Sequence, residues 1–326
     1  MLPIAVDAMG GDRAPGEIVA GAHLAADSGI SVTLVGPANL EGVGSIPLHV
    51  ATEVIAMDDD PASSVRKKKD STLVVCADLV REGKASAMIS AGNTGATMAS
   101  ALLRMGRIKG VHRPAIAIPV PVPGGTPTVL LDAGANAEVQ ADWLVQFAQM
   151  GAVYSRRRFG VSTPRVGLLS IGEEPGKGDT LRKDAFELLS GASNINFIGN
   201  VEGRDLMTDD VDVVVTDGFT GNVVLKTLEG TLKTVIKALF AAFSSKPEYE
   251  PHMNALMPAL LPMYEELDPD TYGGAILLGV DGVCIISHGS SSARAILNGV
   301  RCAKEMVDVG MVEEIRSAIA STTLGS

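Results

Sequence analysis

The chain has 326 residues, 46% hydrophobic and only 4% aromatic, with 36 glycines and a formal net charge of −11. This length and hydrophobic share exclude a disordered chain and allow a full core, in one large α/β domain or two small ones. The negative balance excludes nonspecific nucleic-acid binding, which needs a broad positive field, while leaving room for a local basic patch. Cys76, Cys284 and Cys302 stand singly with no CxxC pair, so neither a zinc site nor a disulfide framework is signalled, and they read as reduced core thiols. The first six residues lack the basic head of a signal peptide, and no stretch reaches the roughly 18 apolar residues of a membrane span. The cytoplasm is the expected compartment.

In chain order, β-branched runs at 4–6, 31–35, 87–89, 115–120, 128–131, 165–171, 196–198 and 211–216 read as strands. Helix-length segments lie between several of them, at 17–27, 71–82, 137–155 and 180–189. Strand, loop and helix repeated this way predict an α/β fold, a mostly parallel sheet covered by helices on both faces, in one unit over 1–326. In such sheets ligands gather beyond the carboxyl ends of the strands.

The loops at those ends carry the candidate chemistry. Asp7 leads into Gly10, Gly11 and Asp12, where paired glycines let backbone approach a ligand; a tight structural turn explains them equally. Ser90, Gly92, Asn93, Thr94 and Gly95 open an apolar helix and suit a phosphate, although Asn93 or Thr94 can also serve as its cap. Asp132 and Asn136 follow a buried strand. Glu174, Gly176, Lys177 and Gly178 follow another, with Lys177 between two glycines where its ammonium is uncovered. Asp217, Thr220, Gly221 and Asn222 precede a long helix, with Lys226 one turn later, and His288, Gly289 and Ser290 end a strand at 283–286. His288 is a candidate for catalysis or phosphate contact, but a hydrogen-bonded structural histidine fits the same spacing. Ser90 lacks the GxSxG elbow, so a Ser-His-Asp triad is unsupported. Direct attack by bound phosphate needs no enzyme nucleophile.

From 222 to 243, Val224, Leu228, Leu232, Val235 and Leu239 recur at helical spacing, and a second apolar stretch runs from 253 to 267. A helical hairpin inserted over 223–270 is predicted, its Leu256, Met257, Leu260 and Leu261 available for a dimer or a membrane surface. Pro258 and Pro262 are expected to interrupt the second arm. Arg66, Lys67, Lys68 and Lys69 form the densest basic run, and Arg104, Arg107, Lys109 and Arg113 a second; each suits an acidic partner or a solvated face.

Taken in order, eight stretches resemble the phosphate acyltransferases of bacterial phospholipid synthesis, the PlsX family. They are VDAMGGD at 6–12, SAGNTGA at 90–96, RPAIA at 113–117, GEEPGKG at 172–178, NVEGRD at 200–205, DGFTGNVVLK at 217–226, YGGA at 272–275 and HGSS at 288–291. Ser170, Glu173 and Ser292 depart from the family pattern, where Asn, Thr and Asp are commoner. The resemblance implies transfer of a long acyl chain from acyl carrier protein to phosphate, with no cofactor and no metal. It further implies a homodimer, a fold similar to the isocitrate and isopropylmalate dehydrogenases and to phosphotransacetylase, and peripheral association with the inner face of the cell membrane. The product would pass to a membrane-bound glycerol-3-phosphate acyltransferase.

The mechanism expected from these residues is a cage of several loops around one phosphate. Lys177 is its first-choice cation, Asn93 stabilises charge on the thioester carbonyl, and His288 assists modestly as an acid. Asp7, Asp12, Asp132 and Asp217 are expected to orient donors, since a carboxylate facing phosphate repels it. The competing classes are a short-chain phosphotransacylase using acyl coenzyme A, an NAD- and metal-dependent dehydrogenase of the same fold, and a non-catalytic scaffold.

Overall fold

Eleven strands among the described residues, 2–323, hydrogen-bond into a single sheet in this computed structural model; residues 1 and 324–326 of the unit expected over 1–326 lie outside the described residues. The first half of the chain runs β1 (Ile4–Asp7), α1 (Gly16–Asp27), β2 (Val32–Gly36), β3 (Leu48–Val50), α2 (Pro61–Lys67), α3 (Thr72–Arg81), β4 (Ala87–Ser90), α4 (Thr94–Ser100), β5 (Ala115–Val120) and β6 (Thr128–Leu131). The second half runs α5 (Ala141–Phe159), β7 (Arg165–Leu169), α6 (Thr180–Ser190), β8 (Asn196–Val201), β9 (Val213–Val215), α7 (Gly218–Phe243), α8 (Glu250–Leu267), β10 (Ala275–Leu278), β11 (Val283–Ile286), α9 (Ala293–Asp308) and α10 (Met311–Thr323).

The strand order is β3-β2-β1-β4-β11-β10-β5-β6-β9-β7-β8. Pairing is parallel except where β10 meets β11 and β5, and where β5 meets β6. Two parallel sets, β3 to β11 and β6 to β8, therefore run in opposite directions on either side of β10 and β5.

Period-two alternation sorts the strand side chains onto two faces. Ile4, Val6, Ile89, Ile285, Leu131, Val213 and Leu168 pack on one face with residues of α1, α5, α6, α9 and α10. Ala5, Met88, Cys284, Leu130 and Val214 pack on the other with residues of α3, α4 and the start of α7. Both faces are covered, as the repeating pattern predicts. The sequence reading missed β3 and β10, and α5 begins at Ala141 rather than at 137.

The predicted hairpin is present as α7 and α8, but α7 starts at Gly218, inside the loop, because the Asp217 side chain caps it. Only Gly218, Gly221 and Leu225 of α7 are buried, and none of α8 is. Leu256 and Leu261 are each 49% exposed, while Met257 and Leu260 are half-buried. The expected interruption at Pro258 and Pro262 does not occur; α8 runs through both. Each proline removes one backbone donor, and their spacing of four puts both losses on the same side of the helix, which bends a helix rather than ending it.

Candidate functional site

The strand-end loops gather into two groups. In the first, β1, β4 and β11 lie side by side, so the segments at Asp7–Asp12, Ser90–Gly95 and Ser287–Ser290 adjoin. The buried Asp7 carboxylate accepts the Met9 N–H at 3.2 Å and the Ser90 hydroxyl at 2.7 Å, and Ser90 Oγ in turn accepts the Gly92 N–H at 3.0 Å. These loops pack so tightly that a Cβ on Gly10 would stand 2.6 Å from Asp7 Oδ2 and 2.8 Å from the Gly92 nitrogen. Only glycine fits there. Burial raises the Asp7 pKa above the ordinary carboxylate value, while hydrogen bonds from Thr72, Ser90, Met9 and Gly10 oppose the rise. The Asp12 N–H donates to the Gly289 carbonyl at 2.8 Å and closes the group.

Asn93 spends its whole side chain on structure. Its Oδ1 accepts the Ala96 N–H at 3.0 Å as the cap of α4, and its Nδ2 donates to the carbonyls of Met57 at 2.9 Å and Asp59 at 3.1 Å. Both amide hydrogens are committed, so the expected oxyanion role for this side chain is corrected. Among the described residues, the backbone N–H groups of Asn93, Thr94 and Gly95 have no acceptor and remain free to donate. The exposed His288 turns Nδ1 to Ser290, 2.8 Å from its hydroxyl and 3.2 Å from its backbone nitrogen, and leaves Nε2 on the outer side of the ring. Arg66, Lys67 and Lys69 stand exposed at the end of α2, beside the segment that Asn93 tethers. Lys68 leaves this run: its ammonium pairs with Asp59 at 2.6 Å and donates to the Val54 carbonyl at 2.8 Å.

The second group lies beyond β6, β7 and β9. Asp132 Oδ1 accepts the N–H groups of Ile116, Gly134 and Ala135, and Oδ2 accepts the Asn136 N–H and its side-chain amide, all within 3.1 Å. Burial raises the Asp132 pKa and these donors limit the rise. A Cβ on Gly221 would fall 2.0 Å from the Asp132 carbonyl oxygen, so this glycine lets α7 start against the loop. Asn222 packs beside Gly134, and the Gly218 N–H donates to the Asn136 carbonyl at 2.7 Å.

Asp217 caps α7 through the Thr220 N–H and hydroxyl, both at 2.8 Å, and its other contact is the Arg182 guanidinium. Burial alone would raise the Asp217 pKa, but Thr220 and Arg182 together hold it below the ordinary value. Arg182 also reaches Thr216, Thr220 and Asp179. Sequence reasoning missed Arg182. Its signal was a cation in the first turn of a helix, where the dipole disfavours positive charge unless a specific partner holds it.

Lys177 is exposed beside Gly172, in the loop that carries Glu174, Gly176 and Gly178, and its ammonium has no ion-pair partner among the described residues. Lys226 does not face the loops as an open cation; it pairs with Glu229 at 3.0 Å one turn on.

The two groups do not close on one ion. The parallel sets run in opposite directions, so their carboxyl ends lie on opposite edges of the sheet, and going from β4 to β6 also crosses four ladder steps, about 19 Å sideways at the usual strand spacing. No hydrogen bond or ion pair joins them among the described residues. The single cage expected from the sequence is therefore two, because the antiparallel β10 and β5 stand between the parallel sets.

Ser290 Oγ stands 2.8 Å from His288 Nδ1, a serine–histidine contact with no carboxylate paired to the ring among the described residues, and the thiols are not activated. Burial pushes the thiol of Cys284 up to about 12, that of Cys302 up to about 11, and that of Cys76 well above the usual range. The Ser90 hydroxyl is already donated to Asp7.

A family profile described as "Fatty acid synthesis protein" matches residues 2–314. A phosphate acyltransferase of Elusimicrobium minutum is 48% identical over 328 residues, covering 97% of this chain and 96% of that protein. Among solved structures, a branched-chain phosphotransacylase from Enterococcus faecalis aligns with a TM-score of 0.62 at 16% identity, covering 94% of this chain and 99% of that one. A 4-hydroxythreonine-4-phosphate dehydrogenase from Klebsiella pneumoniae aligns at 0.51 and 14%, covering 94% and 100%. At such identities the structural likeness shows a shared fold.

Proposed function

Because the chain belongs to the phosphate acyltransferase family, we propose that it moves a long-chain fatty acyl group from acyl carrier protein onto inorganic phosphate. The acyl phosphate so formed would feed phospholipid synthesis through a membrane-bound glycerol-3-phosphate acyltransferase. The observation that carries this reading is the first loop group, which offers free N–H donors at the start of α4. In this reading the three open N–H groups at Asn93, Thr94 and Gly95, with the outer edge of the His288 ring, strip water from phosphate and orient it. A phosphate oxygen attacks the thioester carbon, the C–S bond breaks, and the thiolate leaves with the electron pair. Charge on the carbonyl oxygen is met by backbone N–H groups.

An acidic carrier protein needs local positive charge on a chain whose net charge is −11. Arg66, Lys67 and Lys69 supply it next to the first group. Among the described residues no helix is long and apolar enough to cross a membrane. Contact with the bilayer, where the product is consumed, falls in this reading to the exposed apolar side chains of α7 and α8. A homodimer would use the same arms.

The donor is tested by comparing palmitoyl carrier protein with acetyl coenzyme A at equal phosphate. The reading expects the carrier-bound long chain to be used far more efficiently, and a preference for acetyl coenzyme A would replace it with the short-chain phosphotransacylase reading.

A further inference from the structure

We propose that a groove at the outer edge of the sheet, between α5, α6 and β8, binds a long-chain carboxylate at a site separate from both loop groups. The site stands whatever reaction the strand-end loops perform.

β8 ends the sheet, with only β7 beside it. Phe197 of β8 meets Phe186 of α6 edge to face, their ring centroids 5.3 Å apart. With Leu189, Ile195 and Ile198 they line a hollow of about 320 Å³, in which the Ser190 hydroxyl is the one side chain able to hydrogen-bond. Ile198 is 44% exposed there. A second hollow, of about 360 Å³, shares Ile195 as a wall and is lined by Arg156, Ser162, Thr163, Ser193 and Asn196. Apolar on one side of Ile195 and polar on the other, the pair fits an amphiphile. Small-molecule sites of this size combine apolar walls with a few polar groups that fix orientation.

Charge identifies the head of that molecule. Arg156, Arg157 and Arg158 fill the last turn of α5. Arg157 pairs with Glu314 and Arg158 with Glu305, whereas Arg156 is exposed in the polar hollow and has no ion-pair partner among the described residues. The hydroxyls of Ser162, Thr163 and Ser193 and the amide of Asn196 make no hydrogen bond within the chain among the described residues, so they are free to donate beside it. A carboxylate accepts from such a set. The carboxyl end of α5 carries the negative pole of its dipole, so a single negative charge met by one guanidinium fits better than a phosphate dianion. A nucleotide base would find one hydroxyl in the apolar hollow, and an acyl chain needs none.

The polar hollow lies at the amino ends of β7 and β8, where Pro164 leads into the first strand and Asn196 begins the second. The loop that carries Lys177 leaves the carboxyl end of β7, five residues or about 16 Å along the strand. The first loop group is six ladder steps away from β7 at β4, about 29 Å. A carboxylate in the groove therefore touches neither group.

Calorimetric titration of the full chain with dodecanoate, and with dodecanol as the same chain without charge, tests the site. The parent chain binds dodecanoate and, more weakly, dodecanol. Arg156→Gln weakens dodecanoate about tenfold, the order for a lost charge-assisted hydrogen bond, and leaves dodecanol unchanged. Ile198→Ser weakens both ligands about tenfold, the order for one apolar side chain no longer covered by the ligand. Both side chains are exposed and neither belongs to a strand-end loop, so fold and turnover without added carboxylate stay as in the parent. Equal dodecanoate affinity in all three chains, or no binding by the parent, overturns the site and leaves the acyl-transfer reading intact. The titration needs no turnover, so the predicted losses uphold the site even if acyl phosphate is never formed.

Discussion

The guanidinium of Arg182 lies on the carboxylate of Asp217, joining the first turn of α6 to the junction of β9 and α7, with 11% and 8% of the two side chains exposed. This pair, with Thr216, Thr220 and Asp179 around it, holds two of the second group's loops in one arrangement.

Removing one partner of such a buried pair strands the other charge, which costs about 3–5 kcal/mol. Arg182→Ala is expected to lower unfolding stability by that order. The double replacement Arg182→Met with Asp217→Asn, which leaves no buried charge, loses clearly less. Urea unfolding of the parent, Arg182→Met, Asp217→Asn and the double variant measures this, and additive losses would contradict it.

The buried carboxylates give opposite pH signatures. Asp217 has a lowered pKa, so its stabilisation is present above the unfolded value of about 3.9 and is lost as pH falls through the folded value. Asp7 has a raised pKa, so its contribution is full below about 3.9 and is lost as pH rises through the folded value. The stability deficit of Asp217→Asn therefore shrinks toward acid. Asp7→Asn compares best with the parent at neutral pH and worst in acid. Urea midpoints across the acid range check both signs, and parallel profiles for parent and variants would contradict them.

Asn93→Ser keeps a cap for α4 but releases the carbonyls of Met57 and Asp59. The expected result is a lower melting temperature together with a higher KM for phosphate, since the tether that shapes the first group is gone. A loss of 10²–10³ in kcat, the order expected for a lost oxyanion donor, with melting unchanged would instead return Asn93 to the oxyanion.

Reversing Arg66, Lys67 and Lys69 to Glu is expected to raise the KM for carrier protein, by an amount that shrinks as salt is added, while sparing phosphate. Lys68→Ala should act differently, loosening the segment around Asp59 and lowering stability. Unaltered carrier kinetics in the triple variant would dismiss the patch.

Much of this was legible in the sequence because it is local. β-branched runs became β1, β4, β5 and β6 nearly to the residue, and glycines beside aspartates marked the strand-end loops. β3, at three residues, is too short to show a period. Whether two loops meet depends on strand order, and nothing local in Asp7 or Asp132 states that β11, β10 and β5 come between β4 and β6. Side-chain commitments were partly hidden: the capping role of Asn93 was legible, but its amide hydrogens and the Lys68 ammonium looked free until the carbonyls of Met57 and Val54 and the carboxylate of Asp59 were seen to hold them.

The central claim is that bound phosphate itself attacks the thioester. The direct measurement incubates the purified full chain with palmitoyl carrier protein and radiolabelled orthophosphate, then examines both lipid and protein. The account predicts label in a hydroxylamine-sensitive lipid anhydride and no acyl group left on the chain. A lipid fraction that never takes up label, or a chain that carries the palmitoyl group covalently, contradicts it.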